Sequence, residues 1–424
     1  MKKIIIFLAL ICISFAENLE RKASYLDSIG EYGESYQIWV ELANNGNVKA
    51  MNNVAYIINN SLDIDYNKEQ VFYWYKKAAS MGDSKSVLDL AYLYMKEKNY
   101  SEAIYWYGIE SKAENSYAKV QLAYIYQNGL GIEKNIKIAK ELLEEATELG
   151  NIEAYYRLAY IYMYEKEFRN YEKAFLLFEI AANNDNEKAM NSLAYMYKNG
   201  LGVNMDLEEA YNWYYLAANK GIDEAKLHLA DLYLKGYGSY EDFDLILEFS
   251  RELAERNNVQ AFFMLGDLTN NSEEAIYWYK KAFNLGHKNL AIQIAYRYIN
   301  LNEEKEAYSW FLKASEQYNA DAYYNLGYLN IYGTSIKTNP IAAISYFENA
   351  ASRGNVKAMN ALAYLYKIGL GTDIDYDKAF YWYKKSAELG DRESMEQLAY
   401  LYKYGHGTEE NKYRAKKWFK DAGY

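Results

Sequence analysis

Residue types that carry catalysis or hold metals are sparse in this chain. It has three histidines, His228, His287 and His406, and no two stand at the i, i+4 spacing that puts a pair of imidazoles on one helix face. Its one cysteine, Cys12, lies in an apolar stretch near the amino terminus, so the rest of the chain offers no thiolate ligand and no disulfide. Ser116-Tyr117-Ala118-Lys119 has the Ser-x-x-Lys spacing by which a lysine amine activates a serine nucleophile in penicillin-recognising enzymes. No Ser-Asp-Asn accompanies it, and Lys337-Thr338-Asn339 lacks the glycine of the third element. Gly-x-Gly occurs at Gly129-Leu130-Gly131, Gly200-Leu201-Gly202, Gly236-Tyr237-Gly238, Gly369-Leu370-Gly371 and Gly405-His406-Gly407. These loops follow helical patterns, where a phosphate-binding loop follows a strand and adds a third glycine or a Lys-Ser/Thr. The expectation is a protein that is not an enzyme, without cofactor or metal, whose work is binding.

The elements that would position a binding surface repeat. A small residue follows a leucine-like position down the chain at Ala55, Ala91, Ala123, Ala159, Ala194, Ala230, Gly266, Ala295, Gly327, Ala363 and Ala399. Six of the ten steps are 36 residues, the mark of a repeat array. Ala189, Leu193, Ala194 and Tyr197 share one face of a 3.6-residue period, and so do Ala210, Tyr214 and Ala217, so each unit reads as two helices. Seven of the eight tryptophans occupy one position in the second helix, in doublets such as Trp74-Tyr75 and Trp382-Tyr383, and Trp39 is the eighth. Gly46-Asn47, Gly82-Asp83, Gly150-Asn151, Gly354-Asn355 and Gly390-Asp391 each set a left-handed stop before an Asx cap, and Asp206 with Glu209 reads as a capping box. One helix pair cannot bury its own apolar stripe, whereas stacked pairs bury a continuous one. The fold expected is all-α: an α/α superhelical solenoid of about eleven antiparallel helix pairs over 47–424, preceded by a degenerate pair over 17–46.

The 424 residues carry 47 Lys+Arg against 58 Asp+Glu, a net charge of −11, with no basic stripe to neutralise phosphates or anionic lipid. Nucleic acid is therefore not an expected partner. A single proline, Pro340, leaves no linker to separate domains. The amino terminus, with Lys2-Lys3, an apolar run and Ser14-Phe15-Ala16, has the layout of a secretory signal peptide over 1–16, cleaved after Ala16, and the run is too short to span a bilayer comfortably. A secreted or periplasmic protein, not an integral membrane one, is expected.

The pattern Ala-x3-Leu-Ala/Gly-x2-Tyr, Gly-x-Gly, Ala-x2-Trp-Tyr-x-Lys-Ala-Ala-x2-Gly, followed almost throughout by 188–221 and 357–390, resembles the Sel1-like repeat family, relatives of the tetratricopeptide repeat. The units near Ser86, Ala261 and Leu290 lack the Gly-x-Gly loop and look more like tetratricopeptide units. The resemblance implies a scaffold that binds proteins or peptides on a concave face. It also gives an alternative, a β-lactam- or peptidoglycan-acting hydrolase, with Ser116 and Lys119 as the place to look.

In related repeats the residue after the small position faces the groove. Here that column holds Tyr56, Tyr92, Tyr124, Tyr160, Tyr195, Tyr296, Tyr328, Tyr364 and Tyr400, interrupted by Asp231 and Asp267. Beside it stand Asn52, Asn191 and Asn360, with Tyr156, Tyr324 and Glu396 in the same column. Tyrosine joins a large apolar face to a hydroxyl, and asparagine can pair with the backbone of an extended peptide. The column is either a binding groove or padding between units. The two aspartates are either an acidic spot that selects a basic side chain or simple drift. The last pair ends on Trp418 and Phe419 without a polar cap, which suggests self-association through that end.

Overall fold

The computed structural model describes residues 2–60 and 64–424, with side chains from Phe15 onward. Among the described residues there are 24 α-helices, two short 3₁₀ turns and no strand. The side chains before Phe15, Cys12 included, lie outside the described residues. The chain divides into two compact units, Met1–Ile222 and Asp223–Tyr424.

Unit one opens with α1 (Lys2–Ser28) and α2 (Tyr32–Asn44), then α3 (Val48–Asn60) and α4 (Lys68–Ser80), and α5 (Ser84–Lys96) and α6 (Tyr100–Lys112). It continues with α7 (Ser116–Asn128) and α8 (Ile136–Glu148), α9 (Ile152–Tyr164) and α10 (Tyr171–Asn183), and α11 (Glu187–Asn199) and α12 (Leu207–Asn219). Unit two holds α13 (Asp223–Leu234) and α14 (Phe243–Glu255), α15 (Val259–Leu268) and α16 (Ser272–Asn284), and α17 (Ala291–Asn300) and α18 (Glu304–Ser315). It ends with α19 (Ala320–Tyr332) and α20 (Pro340–Ala351), α21 (Val356–Ile368) and α22 (Tyr376–Glu388), and α23 (Arg392–Tyr404) and α24 (Lys412–Asp421). Within each unit successive helices pack as pairs, and pairs stack on pairs.

The helices begin where an Asx side chain takes up orphaned backbone amides. Asn47, Asp83, Asn115, Asn151, Asn186, Asn355 and Asp391 each accept the amide three residues on. A cap of this kind contributes about 1 kcal/mol, so the starts are strongly specified. Asp206 accepts two amides, from Glu208 and Glu209. The links before the caps turn through left-handed residues. Gly46, Gly82, Gly150, Gly354 and Gly390 have φ between 75° and 94°, and where glycine is missing Glu114, Asp185, Asn257 and Tyr318 adopt φ of 59–68°. The three units near Ser86, Ala261 and Leu290 turn tightly between their helices, through Glu97–Asn99, Thr269–Asn271 and Leu301–Glu303.

The small column forms the contact line between the two helices of a pair. Its alanines are fully buried, and opposite them the second helices insert Tyr75, Tyr107, Phe178, Tyr214, Tyr279, Phe311, Phe347 and Tyr383, none more than 2% exposed. Each such ring contributes about 2–3 kcal/mol of burial, and the size-matched small residue lets the backbones approach. In the Trp-Tyr doublets it is therefore the second aromatic that fills the core. The tryptophans pack beside it, and three of them carry a lysine: Lys77 Nζ lies 5.1 Å from the Trp74 ring, Lys281 Nζ 4.9 Å from Trp278 and Lys313 Nζ 3.7 Å from Trp310. The leading pair is packed in the same way. Trp39 is fully buried and its Nε1 donates to Asp27 Oδ2 at 2.8 Å.

Candidate binding surface

On a first helix the small residue and the leucine before it face inward, so the next residue, about 100° further round, is turned away from the packed partners. All nine ladder tyrosines are exposed, between 37% and 51%, in contrast to the buried column on the second helices. Their rings have local company. Tyr160 and Tyr164 lie 4.4 Å apart, Tyr328 and Tyr332 4.9 Å, and the Arg157 guanidinium sits 5.2 Å from the Tyr124 ring. Asn325 Nδ2 donates to the Tyr296 hydroxyl at 3.2 Å.

The asparagines divide. Asn52 is buried, and its Nδ2 donates to Ser86 Oγ at 2.9 Å and Asp89 Oδ2 at 3.3 Å on the next first helix. It ties two units together and does not line an open groove. Asn360 is half-buried and donates to Asp391 Oδ1 at 3.3 Å and Glu393 Oε2 at 2.9 Å, while Asn191 is also half-buried. The two ladder aspartates are already engaged. Asp231 Oδ2 receives Lys235 Nζ at 2.8 Å, and Asp267 accepts the hydroxyl of Tyr279, which reaches it because Gly266 leaves room for the ring. Burial, with the carboxylate beside it, pushes the Tyr279 hydroxyl well above its ordinary range. Both aspartates thus have a partner on their own repeat, and Asp267 remains exposed.

Two open clefts lie along the ladder. In unit one a cleft of about 250 Å³ is lined by Tyr124, Tyr156, Tyr160, Arg157 and Lys188, from α7, α9 and α11. In unit two a cleft of about 620 Å³ is lined by Tyr324, Tyr328, Tyr332 and Tyr364 of α19 and α21, with Asp391 and Glu393 at the start of α23. Both clefts centre on a helix with tyrosines at three successive turns: Tyr156, Tyr160 and Tyr164 in α9, and Tyr324, Tyr328 and Tyr332 in α19.

A second exposed aromatic set lies on the second helices, which the sequence reading passed over. Tyr73, Tyr105, Tyr277 and Tyr381 are at least half exposed and meet the adjacent tryptophans edge to face at 4.8–5.1 Å. The signal was present as Tyr73, Lys77 and Met81, Tyr277, Lys281 and Leu285, and Tyr381, Lys385 and Leu389, each set at i, i+4, i+8.

The residues first singled out for chemistry are occupied. Lys119 is buried with its ammonium donating to Glu145, and Ser116 Oγ accepts from Asn151 Nδ2 at 3.1 Å, so lysine and serine have separate structural partners. His406 stacks on Tyr376 at 4.5 Å, His287 meets Phe263 edge-on at 5.0 Å, and His228 lies 3.8 Å from Glu224. Among the described residues no three His, Cys, Asp or Glu side chains gather as a metal site. The loop glycines pack between units. A Cβ on Gly202 would lie 2.3 Å from the Tyr171 carbonyl oxygen, and one on Gly407 2.0 Å from that of Tyr376. Among the described residues no helix is long and apolar enough to cross a membrane. At the carboxyl end Phe419 lies 5.0 Å from Tyr400 and 6.3 Å from Tyr424, and Trp418 packs partly against the core.

The model of the Sel1 repeat family matches ten segments: 48–83, 85–108, 116–151, 152–186, 187–222, 252–287, 300–319, 320–355, 356–391 and 392–423. The pair α13–α14 falls almost wholly outside these segments. A crystal structure of a protective antigen present in uropathogenic Escherichia coli strains, displaying an SLR fold, is 26% identical with a TM-score of 0.73, over 91% of this chain and 86% of that one. A Sel1 repeat protein from Oxalobacter formigenes is 20% identical with a TM-score of 0.35, over 86% of this chain and 89% of that one. No curated protein matches the chain in sequence. The matched segments run through most of the sequence and most of them frame one helix pair, and the chain belongs to the Sel1 repeat family.

Proposed function

We propose that this chain is an exported scaffold that holds an extended segment of another protein against the tyrosines of its first helices. The observation that carries this reading is the ladder itself: nine tyrosines recur at one register position and every one is exposed. Nine large rings left accessible at a repeated position favour a binding role over padding, since padding would be buried as the second-helix column is. Tyrosine presents contact area at low conformational cost, as binding loops do. The Sel1 repeat fold supports a scaffold, and the engagement of Lys119 by Glu145 speaks against a serine hydrolase at Ser116. Export rests on the leader over 1–16, and the similar Escherichia coli protein, a protective antigen, fits exposure outside the cytoplasm. Self-association through the last helix pair stays with this proposal as a secondary property.

A photo-reactive phenylalanine placed at Tyr195 or Tyr364, and at Tyr105 or Tyr381 as controls on the second helices, tests the surface. Crosslinks from the first pair to a defined segment of another protein are expected. Crosslinks confined to the second pair would move the function to the other aromatic set. A fusion of 1–16 to a phosphatase that is active only outside the cytoplasm should give enzyme activity, and an inactive fusion would remove export.

A further inference from the structure

We propose that the cleft of unit two holds the guanidinium of an arginine in the bound segment. The inference rests on the groove reading above and names the side chain that one part of the groove selects. Two walls of the cleft are tyrosine faces, Tyr324, Tyr328 and Tyr332 on α19 and Tyr364 on α21. The third is the first turn of α23, with Asp391 and Glu393. Asn360 donates to Asp391 Oδ1 and to Glu393 Oε2, and Asp391 Oδ1 also accepts the Ser394 amide at 2.7 Å. These bonds fix the carboxylates in place and leave Asp391 Oδ2 and Glu393 Oε1 for a ligand.

Ring faces attract a cation, and a planar guanidinium both stacks on a ring and forks its N–H groups to carboxylates, which an ammonium does less well. The volume of about 620 Å³ leaves room for that side chain with its neighbouring backbone. The sign of charge belongs to this cleft and not to the repeat in general. The cleft of unit one is lined by Arg157 and Lys188 and by no carboxylate. One cation, Lys357 on the first turn of α21, also lines the unit-two cleft and opposes the proposed occupant. Its removal therefore gives a prediction whose sign depends on the ligand's charge.

The experiment titrates the full chain into fluorescein-labelled, end-blocked dodecapeptides of glycine and serine. Each carries two leucines around one central residue: arginine, citrulline or glutamate. Anisotropy should rank arginine above citrulline and citrulline above glutamate. Glu393→Gln, at an exposed position, should weaken the arginine peptide about 2- to 5-fold, and Lys357→Gln should tighten it by a similar factor. Tyr328→Ala with Tyr364→Ala should weaken it about 5- to 30-fold, with far-ultraviolet circular dichroism confirming the helices. Equal affinity for the three peptides, lost in the tyrosine variant, would overturn the arginine site and leave the groove standing. An arginine preference unmoved by Glu393→Gln, or weakened by Lys357→Gln, would overturn it as well. No binding by any peptide, or binding indifferent to the tyrosines, would remove both readings.

Discussion

Glycine-to-alanine substitution at two helical positions should act in opposite directions. Gly108 lies inside α6, and a Cβ there meets nothing within 4 Å. Alanine should stabilise it by about 0.5–1 kcal/mol, the difference in helix propensity. Gly266 lies inside α15, and its Cβ would lie 2.3, 2.6 and 2.7 Å from three ring atoms of Tyr279. That ring is 2% exposed and its hydroxyl is held by Asp267, so it has nowhere to go. Overpacking of this kind costs about 1–3 kcal/mol, and three contacts this short place Gly266→Ala in the upper half of that range. After subtracting a propensity gain of about 1 kcal/mol, the net loss is about 1–2 kcal/mol. For a unit of this size 1 kcal/mol moves the thermal midpoint by about 2–4 °C, so the two variants should separate clearly in calorimetry. Stabilisation by Gly266→Ala equal to that by Gly108→Ala would mean that Tyr279 does not occupy the space above Gly266.

Four further outcomes follow from the structure. Tyr214→Ala, in the buried column, should cost about 3–5 kcal/mol in urea unfolding, and Tyr195→Ala, on the ladder, about 1 kcal/mol or less; equal costs would make the ladder part of the core. Lys226 is buried and donates to Glu252, at a position where Met51, Met190 and Met359 stand in other units; the Glu252 side chain reaches solvent and keeps Arg256 as a partner, so Lys226→Met should change stability by no more than about 1 kcal/mol at neutral pH in the same assay. The Lys226 hydrogen bond holds the Glu252 carboxyl below its ordinary range, so stability present above the unfolded value of about 4.3 is lost as pH falls through the lower folded value, and melts down to about pH 3 should fall more steeply for the natural chain than for Lys226→Met. Glu114 holds φ 59°, and Glu114→Gly should raise the thermal midpoint by relieving about 1 kcal/mol of left-handed strain; a lowered midpoint would place that residue elsewhere in φ.

Much of the fold was legible because it is periodic. The small column, the Asx caps and the glycine links state helix starts, stops and facing surfaces again in every unit. The register of Tyr56 through Tyr400 was equally plain, but register alone does not separate a groove from padding. That distinction depends on which side of a first helix its neighbours cover. Asn52 shows the limit, since its column marks a face and says nothing of Ser86 and Asp89 waiting on the next helix. The contact of Asp267 was out of reach for a similar reason. Its partner Tyr279 lies 12 residues on, across a tight turn, and reaches it only because a glycine precedes the aspartate. The Tyr73, Tyr277 and Tyr381 stripe is harder to read, because each of these tyrosines stands directly before a tryptophan that packs inward and dominates the local pattern.

The seating of Gly202 on Tyr171 and of Gly407 on Tyr376 joins each loop to the residue that opens the second helix one unit earlier. Removal of one whole 36-residue period would rejoin like surfaces, so the array has a natural unit of shortening. A few residues inserted ahead of Tyr171 or Tyr376 would instead be felt in the following period, where the glycine seat on that carbonyl has no room for a side chain.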